Sequence, residues 1–275
     1  MEAEELLRAG RLNEAQDALE QAIRSDPADA KLRVFFFQLL AILGQWDRAL
    51  TQLRVAAQLD AINLLMAQMY EATLTCEALR GHVFAGERTP LIFGQPDPWM
   101  SWLVQANILA AQGSYQPATE LRQKALDAAP AVGGAVDGQG FEWVADADSR
   151  LGPMLEAVVD GKYYWVPFQA IKAIQISEPK DLCDFVWTAA SFTWSNDGQS
   201  QGFIPTRYPG SEASEHDAVR LARRTEWIEK SAETYFGLGQ RMLATDGQEY
   251  PILSIRQIDL HHPDSQAETE EHPDG

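Results

Sequence analysis

The chain has 275 residues, enough for two domains of ordinary size and for a core that needs neither disulfides nor metals. Its 22 Lys and Arg face 40 Asp and Glu, a formal net charge of −18. A surface of that sign repels phosphate backbones and anionic headgroups, which argues against nucleic acid or a membrane as partner and favours a basic or amphipathic protein segment.

The first residues, Met1-Glu2-Ala3-Glu4-Glu5, are acidic where a secretory signal is basic and then apolar. The most apolar stretch, 32–43, is interrupted by Arg33 and Gln38 and is too short to span a bilayer. Two cysteines, Cys76 and Cys183, form no disulfide framework and suit a reducing compartment. A cytoplasmic protein is expected.

The N-terminal half repeats. Gly10, Ala15, Leu19 and Ala22 recur 34 positions later as Gly44, Ala49, Leu53 and Ala56. A further copy, Gly113, Ala118 and Ala125, lies two periods on with a one-residue shift, and Pro27 and Pro130 each follow their glycine by seventeen residues. Glycine accepts the positive φ that ends a helix, small alanines let the next helix pack closely, and proline closes the unit. Period and residue types match the tetratricopeptide repeat. The spacing predicts a short first helix over 2–9, helices over 30–43 and 47–59, one longer helix over 62–83 with Ala78 where the period places glycine, a break over 86–98, and a last unit over 99–129. In such an array the first helix of each unit lines a concave groove suited to an amphipathic helix. That geometry nominates Lys31, Val34, Gln38 and Ile42, with Met100, Leu103 and Asn107, as peptide-binding residues.

From 131 to 140 the chain is Gly-rich and reads as a linker. Beyond it the pattern becomes strand-like. Segments 153–159 and 162–166 flank Asp160-Gly161, 185–194 and 202–206 flank Asn196-Asp197-Gly198, and 238–244 and 250–258 flank Asp246-Gly247. A short strand over 173–176 and a short helix over 217–223 complete a compact, barrel-like antiparallel unit. It is expected to bury Trp143, Tyr163, Tyr164, Trp165, Phe168, Trp187, Trp194 and Phe203. The expected organisation is α+β, with a helical repeat domain over 1–130, a linker over 131–140, a β-rich domain over 141–260 and a disordered acidic tail over 261–275.

Catalytic signals are sparse. His82 and His216 lack metal-ligand spacing, Ser191 and Ser195 lack nucleophile-elbow glycines, and no phosphate-binding glycine pattern occurs. Asp146-Ala147-Asp148-Ser149-Arg150 is the most enzyme-like run, able to serve acid–base work or hold a metal, but better suited to organising a tight turn after a strand, with Arg150 pairing a carboxylate. No cofactor and no metal are expected.

Three longer runs are distinctive. They are Glu142-Trp143-Val144-Ala145-Asp146-Ala147-Asp148-Ser149-Arg150-Leu151-Gly152-Pro153, Gly161-Lys162-Tyr163-Tyr164-Trp165-Val166-Pro167-Phe168, and Gly202-Phe203-Ile204-Pro205-Thr206-Arg207-Tyr208-Pro209-Gly210-Ser211. Together with 221–227 they resemble the ImpE family, also called SciE or TagJ, which accompanies type VI secretion clusters. The resemblance implies a non-enzymatic accessory protein that binds an N-terminal helix of the small sheath subunit, TssB, and is linked to the ClpV ATPase that disassembles sheath. It assigns no role to the motif residues Trp143, Asp146, Asp148, Arg150, Arg207 and Tyr208. Two other readings stand beside it: a scaffold that oligomerises through the β-rich half, and a hydrolase or metal enzyme centred on Asp146 and Asp148.

Overall fold

The computed structural model describes residues 2–231 and 234–261. Seven helices come first: α1 (Glu2–Arg8), α2 (Leu12–Ser25), α3 (Ala30–Ile42), α4 (Trp46–Leu59), α5 (Leu64–Phe84), α6 (Pro98–Ala111) and α7 (Tyr115–Ala128), with strand β1 (Leu91–Ile92) between α5 and α6. They form the hairpins α1–α2, α3–α4 and α6–α7. Each first helix stops at a glycine with positive φ: Gly10 (73°), Gly44 (68°) and Gly113 (78°). The bond pairs are those of a Schellman cap: Gly10 N–H to Leu7 O with Arg11 N–H to Leu6 O, and the same pattern at Gly44 and Gly113. The repeated Ala15, Ala49, Ala118 and Ala125 are buried, as close helix packing demands. With Ala78 in place of glycine, α5 runs on for 21 residues and reaches the same cap only at Gly86 (φ 72°).

The second half contributes β2 (Gly134–Val136), β3 (Gln139–Phe141), β4 (Val144–Asp146), β5 (Met154–Val159), β6 (Lys162–Pro167), β7 (Ile171–Ile176), β8 (Trp187–Trp194), β9 (Gln199–Pro205), helix α8 (Asp217–Arg220), β10 (Thr225–Ser231), β11 (Thr234–Gly239), β12 (Met242–Thr245), β13 (Glu249–Pro251) and β14 (Gln257–Leu260). Nine strands make one sheet in the order β1-β6-β5-β9-β8-β7-β14-β2-β3, antiparallel except for the β1–β6 pair. Strands β13-β12-β4 and β10-β11 form two smaller sheets. The α+β architecture expected from the sequence is the observed one.

Several boundaries differ from the sequence reading. The expected linker over 131–140 is the hairpin β2–β3, turned by Asp137 (φ 49°) and Gly138 (φ 81°), and it pairs with β14. Its glycines serve sheet packing: a Cβ on Gly134 would lie 2.1 Å from the Asp259 carbonyl oxygen. The expected strand over 238–244 is split, because Gly239 (φ 86°) turns the chain between β11 and β12. The acidic tail lies outside the described residues except for His261, whose N–H donates to Gly133 O at 2.8 Å. No helix among the described residues is long and apolar enough to cross a membrane.

The large sheet is buried on both faces, so its strands alternate between two cores. On one face Met154, Val158, Tyr163, Trp165, Trp187 and Phe203 join the helical core of Phe37, Tyr70, Leu74, Met100 and Leu103. Tyr70 packs against Phe37, Trp187 and Phe203 with ring centroids 5.3–5.6 Å apart. On the other face Leu155, Ala157, Val159, Val166, Phe192, Ile204 and Ile258 build a second core within the β-rich half. The two halves thus share one continuous apolar core. Of the aromatics expected inside, Trp143 is 39% exposed and Tyr164 half-buried.

Candidate functional site

Where the sequence led to the expectation of a concave groove, part of the helical array packs into a core shared with the sheet. Ile42, Met100, Leu103 and Asn107 are buried, and the Asn107 amide donates to Val83 O at 2.9 Å. Val34 and Gln38 are half-buried, and only Lys31 of the seven nominated residues is exposed. Apolar first-helix residues have been recruited to hold the two halves together.

Of the motif residues, Asp146, Tyr208 and the Arg207 carbonyl enter a buried ionic network at the junction of helices and sheet. Arg241, wholly buried between β11 and β12, bridges Asp146 of β4 and Glu156 of β5 and donates Nε–H to Pro205 O at 2.8 Å. Glu156 also receives a fork from Arg80 of α5, at 2.6 Å from Nε and 2.9 Å from Nη2, and the Tyr163 hydroxyl. Arg80 donates onward to Arg207 O at 2.7 Å and reaches Glu77 Oε2 at 3.4 Å. The Trp187 indole caps Glu77 Oε1 at 2.9 Å, and the Trp165 indole donates to the Tyr163 oxygen at 2.8 Å. The Tyr208 hydroxyl donates to Asp146 Oδ1 at 3.1 Å and accepts from Met242 N–H at 3.0 Å.

Asp148 and Arg150 form a second knot, joined to the first where Asp148 N–H donates to Asp146 Oδ1 at 2.9 Å. Asp148 Oδ1 accepts from Arg150 N and Nε, each at 2.8 Å, and Oδ2 from Arg150 Nη2 and from Gly237 N–H at 2.7 Å. The guanidinium lies between the Phe84 and Phe236 rings, 4.9 and 4.5 Å from their centroids. Arg207 does a different job. It donates to Ile42 O at 2.8 Å and to Ala41 O at 3.4 Å, satisfying carbonyls at the C-terminal end of α3 where the helix dipole is negative.

Burial pushes the Asp146 carboxyl up to about 6 against the pull of Arg241. Burial also raises Glu156, but Arg80 and Arg241 outweigh it and hold that carboxyl down at about 2. Burial lowers the Arg207 guanidinium to about 10. Arg80, Arg150 and Arg241 are thus paired inside the protein with Glu77, Glu156, Asp148 and Asp146, while the buried Arg207 bonds to backbone carbonyls. The Asp146–Arg150 run forms a tight turn, with Asp148 N–H donating to Asp146 Oδ1 at 2.9 Å and Leu151 N–H to Asp148 O at 3.0 Å. Its carboxylates are engaged by arginines and backbone N–H groups, and the described residues contain no cluster of three or more His, Cys, Asp or Glu that could hold a metal.

Accessible apolar surface lies in places the sequence reading did not single out. Ile62 is 82% exposed, Leu65 78% and Met69 44%, beside a trough of about 880 Å³ between α5 and the β5–β6 and β8–β9 hairpins. The signal in the sequence was the run Ile62-Asn63-Leu64-Leu65-Met66, more apolar than a one-sided helix start requires. Trp143, with Leu126, Pro130 and Arg122, lines a second hollow of about 440 Å³, where Arg122 Nε and Nη2 are buried without a hydrogen-bond partner.

The motif residues Asp146, Asp148, Arg150, Arg207 and Tyr208 fall inside residues 138–259, the part of the chain that matches the ImpE protein family model. Nearly the whole chain aligns with one curated relative, at 46% identity over 267 residues covering 96% of this chain and 93% of the relative. The chain belongs to the ImpE family. That relative is the type VI secretion system accessory component TagJ of Pseudomonas aeruginosa. The crystal structure of protein VPA1032 from Vibrio parahaemolyticus has the same fold, with a TM-score of 0.88 at 27% identity, covering 97% of this chain and all of that one. In this ImpE-family chain the family motifs thus build the junction between helices and sheet.

Proposed function

We propose that the protein is a non-enzymatic accessory component of a type VI secretion system that binds the N-terminal helix of the small sheath subunit TssB and assists ClpV-linked assembly or recycling of the sheath. The observation that carries this reading is the end-to-end similarity to a type VI accessory component, at an identity that keeps fold and surface related. The geometry supports it from the other side. The carboxylates with the most enzyme-like spacing serve as counter-ions inside the protein, whereas an apolar trough and bare apolar side chains remain open to a partner. The net charge of −18 suits a cationic protein segment.

The test is co-elution of the full chain with purified TssB on size-exclusion chromatography, run beside TssB lacking its N-terminal helix. A complex that forms with the intact subunit and is lost on helix deletion is expected. Equal behaviour of the two TssB forms would refute the proposed contact.

A further inference from the structure

We propose that the trough along the N-terminal half of α5 is the docking site for a cationic amphipathic helix of a partner protein. The proposal rests on the adaptor reading above and gives it a location.

The trough is built for side chains that come from outside. Leu65, Met69 and Ala72 follow one another at i, i+4 and i+7 on one face of α5; Leu65 and Ile62, which sits in the turn just before the helix, are 78% and 82% exposed. Tyr70, Val158 and Phe203 form a buried apolar floor behind the stripe. At one end the Asp160-Gly161 turn rests on α5: a Cβ on Gly161 would stand 3.2 Å from Ala72 Cβ, and Cys76 Sγ reaches Gly161 O at 3.4 Å. From that turn the lining runs along α5 from Ala72 to Leu65, about 10 Å of helix at 1.5 Å per residue, room for about two turns of a second helix.

Three features choose the occupant. First, the elements that pack against α5, which are α4, α6 and β6, leave Ile62 and Leu65 at its start exposed. Second, β9 at the trough wall is hydrogen-bonded on both sides, by β5 and β8, so an incoming segment must dock through side chains rather than add a strand. Third, Asp160 is the one formally charged residue among the described residues lining the trough, and the exposed Asp60, whose carboxylate accepts from Ile62 N–H at 3.0 Å, stands beyond its other end. An apolar lane between two carboxylates, on a chain of net charge −18, matches a helix with an apolar stripe flanked by Lys or Arg. It disfavours a second copy of this chain, which would bring the same excess of negative charge.

The experiment titrates the full chain with a peptide of the TssB N-terminal helix, comparing wild type, the double variant Ile62→Asp/Leu65→Asp and Lys31→Glu. Both replaced apolar side chains are exposed, so a thermal midpoint near that of wild type verifies folding. Weakening by about tenfold or more in the double variant is expected, as for loss of central apolar anchors, with Lys31→Glu unchanged. Double-variant affinity within about twofold of wild type would overturn the trough while leaving the adaptor reading in place. Wild type that takes no peptide would overturn the adaptor reading and the trough with it.

Discussion

Arg241→Met tests the idea that the buried ionic network holds the two halves together. Methionine keeps the apolar stem and removes the guanidinium that is fully buried between Asp146 and Glu156. Glu156 keeps Arg80 and Tyr163, and Asp146 keeps Tyr208, but both carboxylates lose a cation and Pro205 O loses its donor. Breaking a buried pair by removing one partner costs about 3–5 kcal/mol. At roughly 2–4 °C per kcal/mol for a chain of this size, the thermal midpoint should fall by about 6–20 °C. Differential scanning calorimetry at pH 7 reads this directly, with Arg24→Met as control. Arg24 is a 76% exposed partner of Glu20, and its loss should cost about 0.5 kcal/mol or less. A drop of under about 2 °C in Arg241→Met would refute the argument that this network is structurally required.

Stability should depend on pH in two opposing ways. Asp146, raised to about 6, stabilises the folded state most below its unfolded value, and that contribution is lost as pH rises through 6. Glu156, held at about 2, stabilises above its ordinary range near 4.5, and that contribution is lost as pH falls toward 2. Urea unfolding across pH 3–8 should therefore show a shallower acid limb in Glu156→Gln and no acid-side gain between pH 7 and 4 in Asp146→Asn; profiles parallel to wild type would contradict both assignments. Gly237→Ala should destabilise by about 1–3 kcal/mol, because the new Cβ would stand 2.2 Å from the buried Tyr208 ring and force it off Asp146. An unchanged denaturation midpoint would contradict that packing.

Much of the fold is local chemistry and was legible. The 34-residue spacing places Gly10, Gly44 and Gly113 where the backbone needs positive φ, and Asp160-Gly161 turns β5 into β6 with both residues left-handed. The same Asp-Gly signature stands at Asp137-Gly138. It was hidden by neighbouring glycines whose role is close strand approach rather than linker flexibility, as at Gly134 against Asp259. The site was far less legible. Arg80 meets Glu156 across 76 positions and Arg241 meets Asp146 across 95, so no spacing announces the network. Repeat geometry alone does not reveal that Met154, Val158, Trp165 and Phe203 of the second half share one core with Met100 and Leu103.

The central claim is that this chain is an adaptor for a sheath-subunit helix, and isothermal titration with the TssB N-terminal helix peptide tests it most directly. Saturable one-to-one binding with a negative heat-capacity change, the mark of apolar burial, is the expected result. No heat of binding at high micromolar peptide would contradict it.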